Sequence, residues 1–162
     1  MNFLRQVNVY SLMVLCFLLA ISYSISLFLK NKRIESNIEL VKKSFDIFNA
    51  PYLEEAVAKY HDVSYKQYSD GKVLNYDDLL SHVKYLKSVL ASKVEIIYDD
   101  IVADQNTVCT VHRAKASKKD GTKVEIKVIA FHKIMNNKIV STDELTHVLT
   151  GDEQDKKLGS AH

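Results

Sequence analysis

From residue 93 to residue 149 the hydrophobic positions fall in four stretches, 94–102, 108–116, 124–135 and 139–149, either alternating with polar residues or running continuously. Period-two patterning of this length predicts three or four long antiparallel strands. The separators are hairpin chemistry: Asp104-Gln105-Asn106, Lys119-Asp120-Gly121 and Asn136-Asn137. Asn and Asp tolerate the positive φ of primed turns, and Gly121 has no Cβ to forbid it.

Upstream the period changes to that of helices. Ile34, Ile38, Val41, Phe45 and Phe48 lie on one helical face, with Glu35, Lys42 and Lys43 off it. Pro51 ends that run and suits the first turn of a short second helix over residues 52–60, where Glu54 and Glu55 meet the positive end of the dipole. Residues 63–68 read as a short strand closed by Ser69-Asp70-Gly71. Asn75 then caps a third helix with the stripe Leu79, Val83, Leu86 and Leu90, acidic residues in its first turn and lysines later.

Residues 7–29 carry no charge, and this stretch is long enough to cross about 30 Å of hydrocarbon. A secretory signal competes with an anchor, because Arg5 forms a small basic start and Ser22-Tyr23-Ser24 offers small residues for cleavage. Against cleavage, the apolar run continues through Ile25, Leu27, Phe28 and Leu29 and then meets Lys30-Asn31-Lys32-Arg33, a stop-transfer flank. With no Pro before Pro51 and no Gly before Gly71, this segment and the first amphipathic helix can form one rod. The expected organisation is a hydrophobic segment at 1–30, a domain at 31–150 and a polar tail at 151–162, read as surface coil. The positive-inside tendency directs the domain to the cytoplasmic side of a single-pass membrane protein. Export to the periplasm after cleavage is the alternative.

Composition narrows the function classes. With 22 basic and 20 acidic residues the chain has no electrostatic footprint for nucleic acid. Cys16 and Cys109 fall in different environments, an apolar helix and a strand, which argues against an intramolecular bridge, and no Cys/His spacing fits zinc. No phosphate loop, dinucleotide fingerprint or G-x-S-x-G motif is present, so no cofactor is expected.

The runs Ile101-Val102-Ala103-Asp104-Gln105-Asn106-Thr107-Val108 and Ala130-Phe131-His132-Lys133-Ile134-Met135-Asn136-Asn137-Lys138-Ile139-Val140, with the hairpin through Asp120-Gly121, resemble the nuclear transport factor 2-like, or SnoaL-like, superfamily. Asp143-Glu144-Leu145-Thr146, Gly151-Asp152-Glu153 and Leu158-Gly159-Ser160 are similar to a bacterial subgroup whose members are mostly uncharacterised. The resemblance spans about residues 34–160. It implies an α+β cone, with three helices packed on a curved antiparallel sheet, a pocket between them, and dimers built through the sheet. It does not imply one activity, since relatives include isomerases, cyclases, hydrolases and binding modules.

Within such a pocket the candidate acid or base is Glu144, which the resemblance places facing the cavity, in phase with Val140, Thr142, Thr146 and Val148. A carboxylate desolvated there has a raised pKa, whereas one paired with Lys or Arg only holds the strand in register. His112 and Arg113 are adjacent on a strand, so at most one faces in. His132 shares the apolar phase of Val124, Ile126 and Val128, and His82 flanks the stripe of the third helix. Tyr65, Lys66 and Tyr68 lie on the inserted strand, where a phenol can donate to a ligand oxygen and where functional relatives often carry His or Asp. Lys115, Lys118, Lys119 and Lys123 bracket one hairpin tip, a candidate for headgroup contact. The expected role is a membrane-tethered module that binds a small apolar or amphipathic molecule or a protein partner. The alternatives are a cofactor-independent isomerase, cyclase or hydrolase working through Glu144, and a structural subunit of an envelope complex.

Overall fold

The apolar segment and the first amphipathic helix are one rod in the computed structural model: α1 runs Asn2–Ser44 and is followed by a 3-10 turn, Phe45–Phe48. Residues 2–159 are described, except for the side chains of residues 2–7 and of Glu153. The Arg5 and Glu153 side chains and Ser160, named above, therefore lie outside the described residues. All positions from 8 to 33 are exposed, and burial begins at Ile34 and deepens through Asn37, Leu40, Val41 and Ser44. Among the described residues, the apolar stretch of α1 is thus left unburied by the domain. Its lower half is tied down by Lys30 to Asp104 (2.8 Å) and by Asn37 Nδ2 donating to the Gln105 carbonyl (2.7 Å).

Helix α2 (Leu53–Tyr60) begins two residues after Pro51, which sits in the preceding bend rather than in the first turn. Strand β1 (His61–Ser69) starts earlier than its sequence pattern indicates, and a turn through Asp70 and Gly71 leads to β2 (Lys72–Asn75), which sequence reading missed. Only Leu74 is buried in β2, so four residues carry too little alternation to register.

Helix α3 (Tyr76–Val89) is capped as its sequence predicts. The Asn75 side chain accepts from the Asp77 and Asp78 amides, and Asp78 returns the bond to the Asn75 amide. Asn75→Ala is expected to cost about 1 kcal/mol, checked as a lower thermal midpoint with no change in fold.

The strands β3 (Glu95–Asp104), β4 (Thr107–Ser117), β5 (Lys123–Met135) and β6 (Lys138–Thr150) complete a six-stranded sheet of order β2-β1-β6-β5-β4-β3. All pairs are antiparallel except β1 with β6, which is parallel. Asn136 (φ 50°) and Asn137 (φ 58°) make the tight turn between β5 and β6. Irregular register on β1, β3, β5 and β6 bends the sheet around α3 and the end of α1. One irregularity lies between Ile134↔Ile139 and Lys133↔Ser141, so Val140 is the extra residue, and Ile139 rather than Val140 is buried.

Two apolar clusters fill the concave side. One joins α1, α2 and α3 to Tyr65, Val108, Ile134 and Ile139, and the other gathers Leu86, Val124, Ile126, Val128, Ala130 and Leu158. Leu158 belongs to a corrected element. Rather than surface coil, the chain after β6 forms a 3-10 turn (Glu153–Asp155) and a helical turn α4 (Lys156–Gly159) that pack back on the sheet. The buried Asp155 takes an ion pair from Lys118 (3.0 Å), and Leu158 closes the end of the core. A polar composition concealed two anchoring residues spaced three apart.

Candidate functional site

Between the two clusters lies a cavity of about 110 Å³. One part of its wall is apolar, with Phe45, Ile47, Leu86, Val124, Ile126, Val128 and Leu158; the other is polar, with His61, Tyr65, Gln67, His112, His132, Thr142 and Glu144. A surface groove lined by residues 49–51 and 91–93 shares Phe48, Leu86, Leu90 and Val94 with the cavity. The helical side comes from α1, its 3-10 turn and α3, and the polar residues project from β1, β4, β5 and β6.

Glu144 is held from β1, across the parallel pairing. Its Oε1 accepts from Gln67 Nε2 (2.7 Å) and Ser69 Oγ (2.9 Å). Neither bond falls on Oε2. No lysine or arginine pairs with Glu144 among the described residues, so the register-holding ion pair that sequence reading set against catalysis is not formed. Burial pushes the carboxyl up to about 7, opposed by the bonds from Ser69 and Gln67 and assisted by the nearby Asp70 and Asp143 charges.

From Gln67 the polar contacts continue along the sheet. The Tyr65 hydroxyl donates to Gln67 Oε1 (3.3 Å) and also meets Thr142. Thr142 Oγ1 lies 3.1 Å from His132 Nδ1, Thr110 Oγ1 lies 3.2 Å from His132 Nε2, and Thr110 Oγ1 lies 3.1 Å from His112 Nδ1. Burial holds these imidazoles neutral, lowering His132 to about 3 and His112 to about 4; His61, packed edge-on to Tyr65 at 4.8 Å, is lowered by burial to about 4. The Tyr65 phenol is driven upward by burial. Among the described residues no group of three or more His, Cys, Asp or Glu side chains has the arrangement to hold a metal ion.

Over 126 residues, 78% of this chain and 95% of the other, the sequence is 37% identical to an uncharacterised protein of Schizosaccharomyces pombe. No family profile matches the sequence. The fold is similar to AclR of Streptomyces galilaeus, assigned as a hydroxylase, with TM-score 0.63 and 12% identity over 80% of this chain and 88% of that one. It is also similar to a protein of a Jannaschia species assigned as a SnoaL-like polyketide cyclase, with TM-score 0.61 and 10% identity over 70% of this chain and 87% of that one. The chain has the nuclear transport factor 2-like fold. At these identities the solved structures speak for the fold alone.

In this nuclear transport factor 2-like domain, Glu144, Tyr65, His112 and His132 line the cavity, while the other three predicted site residues do not. Arg113 points to the outer face, where it pairs with Asp99 (2.8 Å) and Glu125 (3.1 Å). Tyr68 is outward and exposed, in alternation with the buried Gln67 and Ser69. His82 is buried on α3 but lies outside the lining. His132 is more than a filler, because both of its nitrogens are bonded.

The basic hairpin tip lies at the far end of the sheet from the tethered end of α1. Lys118 and Lys119 lie beyond the end of β4 opposite to Thr107, about 30 Å along the strand from the Asp104 end that pairs with Lys30 of α1. Lys115 pairs with Glu125 on the neighbouring strand, and Lys118 pairs with Asp155 of the chain end. His61, Gln67, Ser69 and Thr110 went unnoticed in the sequence. The one available signal was the spacing of Tyr65, Gln67 and Ser69, three hydrogen-bonding residues on one face of a strand.

Proposed function

We propose that this nuclear transport factor 2-like protein is a membrane-tethered domain that encloses a small, largely apolar molecule and exchanges a proton with it through Glu144. The observation that carries this reading is a carboxylate on a cavity wall with no counter-cation among the described residues and a pKa near 7. A group poised there is charged and uncharged in comparable amounts at neutral pH, which suits a general base or acid. The cavity volume fits a compact molecule, or the reacting end of a longer one that continues along the groove beside Phe48 and Leu90. The cyclase and hydroxylase assignments of two similar structures accord with side-chain chemistry on such a scaffold.

Tethering is supported by α1, a helix long and apolar enough to cross a membrane, whose spanning stretch is 0% buried against the domain. A homodimer through the sheet is the further element of the reading. Val102, Cys109, Phe131, Asp143, Tyr68 and Val73 form one row across all six strands on the outer face, with Ile129 and Leu145 paired in the next. Most of these side chains are exposed and apolar, as a self-pairing surface requires.

The test is the titration of the Glu144 carboxyl in the full chain in detergent, followed by carbon NMR of labelled glutamate against the Glu144→Gln variant. A midpoint near 7 is expected. A carboxylate fully ionised at about pH 5 would end the proton-exchange reading.

A further inference from the structure

Helix α1 enters the domain without a break, and two contacts fix which end of the domain meets the bilayer. At 1.5 Å per residue, residues 8–29 cover about 33 Å, so Lys30 falls at the headgroup level of a bilayer that they span. Lys30 pairs with Asp104 (2.8 Å), and two helical turns further on Asn37 donates to the Gln105 carbonyl (2.7 Å). Neither Pro nor Gly interrupts residues 2–44, so the helix carries the turn between β3 and β4 to the membrane surface.

Other elements share that end. Thr107 pairs with Lys133, and the Ile134 amide donates to the Asn106 carbonyl (2.8 Å), which sets the β5–β6 tip beside the β3–β4 turn. From that tip Lys138 donates to the Ala58 and Lys59 carbonyls, which brings up the end of α2. Lys59, Lys133 and Lys138 thus join Lys32 and Arg33 of α1, and none of these five cations enters an ion pair among the described residues. The acids at this end are Glu35, Asp62 and Asp104, the last already held by Lys30. Met135, 58% exposed, sits on the tip between Lys133 and Lys138. Cations without protein counter-charges around an exposed apolar side chain suit a layer of anionic headgroups over hydrocarbon. At the opposite end of the sheet, Lys115 and Lys118 are already paired with Glu125 and Asp155.

We propose that the domain seats on the anionic lipid surface from which α1 emerges, through Lys59 at the end of α2 and Lys133, Met135 and Lys138 of the β5–β6 tip. The proposal rests on the tethered reading above. The helix supplies the proximity, and the lysines supply the preference for anionic over neutral lipid. Seated in this way, the groove beside Phe48 and Leu90 opens into water, because it lies at the end of β3 opposite Asp104, about 30 Å along the strand.

The test places a fluorophore on Met135→Cys, in the full chain carrying Cys16→Ser and Cys109→Ser, reconstituted into vesicles of phosphatidylcholine and phosphatidylserine at low ionic strength. Quenching is compared between the two lipids, each carrying a nitroxide near the top of its acyl chain and added in equal amount. Phosphatidylserine is expected to quench at least about threefold more strongly. Lys59→Gln with Lys133→Gln is expected to bring that ratio close to one. Lys119→Gln with Lys123→Gln, the same loss of charge at the far tip, is expected to leave it unchanged, and a label on Lys123→Cys is expected to escape quenching by either lipid. Equal quenching by the two lipids, an equal effect of the two variant pairs, or a far-tip label quenched as strongly as the Met135→Cys label overturns the proposal. Native Cys16, labelled in a chain with Cys109→Ser, reports insertion separately through a nitroxide deep in the acyl chain. A Cys16 label that is not quenched removes the tethered reading and this proposal together, whereas a quenched Cys16 with an indifferent Met135→Cys label removes the seating alone.

Discussion

Glu144→Gln is expected to stabilise the protein above neutral pH, by up to about 3 kcal/mol, while changing little at about pH 4.5. The carboxyl titrates near its ordinary 4.5 when unfolded and near 7 when folded. Its contribution is therefore fully present below the unfolded value and is lost as pH rises through the folded one. Between those limits the unfolded chain gains a charge that the folded cavity resists; above about 7 the folded state carries the buried charge and its full penalty. Gln keeps the size and can still accept from Gln67 and Ser69, so the change isolates the charge. Thermal unfolding followed by tyrosine near-ultraviolet circular dichroism at the two pH extremes checks this. Equal destabilisation at both would mean that Glu144 acts as a structural acceptor only.

Acidification should unfold the domain cooperatively, and the buried imidazoles set the window. His61, His112 and His132 are lowered by burial to about 4, 4 and 3 from an ordinary value of 6.5. For groups lowered in the folded state, stability is intact above the unfolded value and is lost as pH falls toward the folded ones. At roughly 1.4 kcal/mol per unit, the three together reach an upper bound of about 12 kcal/mol, comparable with the whole stability of a typical domain. Glu144 opposes this by taking up a proton in the folded state, but one carboxyl does not offset three imidazoles. Loss of the near-ultraviolet signal is expected between about pH 6 and 4. His132→Gln, which retains hydrogen-bonding atoms for Thr110 and Thr142 but cannot charge, should move the midpoint to lower pH. A domain that keeps its tertiary signal at about pH 3 would show that water reaches these rings.

The two expectations pull in opposite directions because the cavity wall combines one acid and three bases, all desolvated by burial. Its hydrogen bonds and its pH response therefore share one origin: each imidazole is kept neutral by the same burial that leaves Glu144 half-charged near pH 7. Glu144 was legible as a candidate through the family resemblance, His132 through the strand phase it shares with hydrophobic neighbours, and His112 only as one of the adjacent pair His112 and Arg113, of which at most one can face in. His61 and Gln67 were not, since β1 carries polar residues on both faces and alternation has nothing to mark the inside.

The sequence by itself determined the long strands, the turns at Gln105, Gly121 and Asn137, the Asn75 cap and the continuous α1. Each depends on residues within a few positions of one another, so local period, turn chemistry and capping suffice. Only the tertiary structure decided which polar groups face the cavity, that β1 runs parallel beside β6, that Val140 bulges, and that the chain end folds back through Asp155 and Leu158. Those outcomes join residues far apart along the chain, such as Gln67 to Glu144 and Lys118 to Asp155. A polar side chain that is buried against a distant partner carries the same local pattern as one in water.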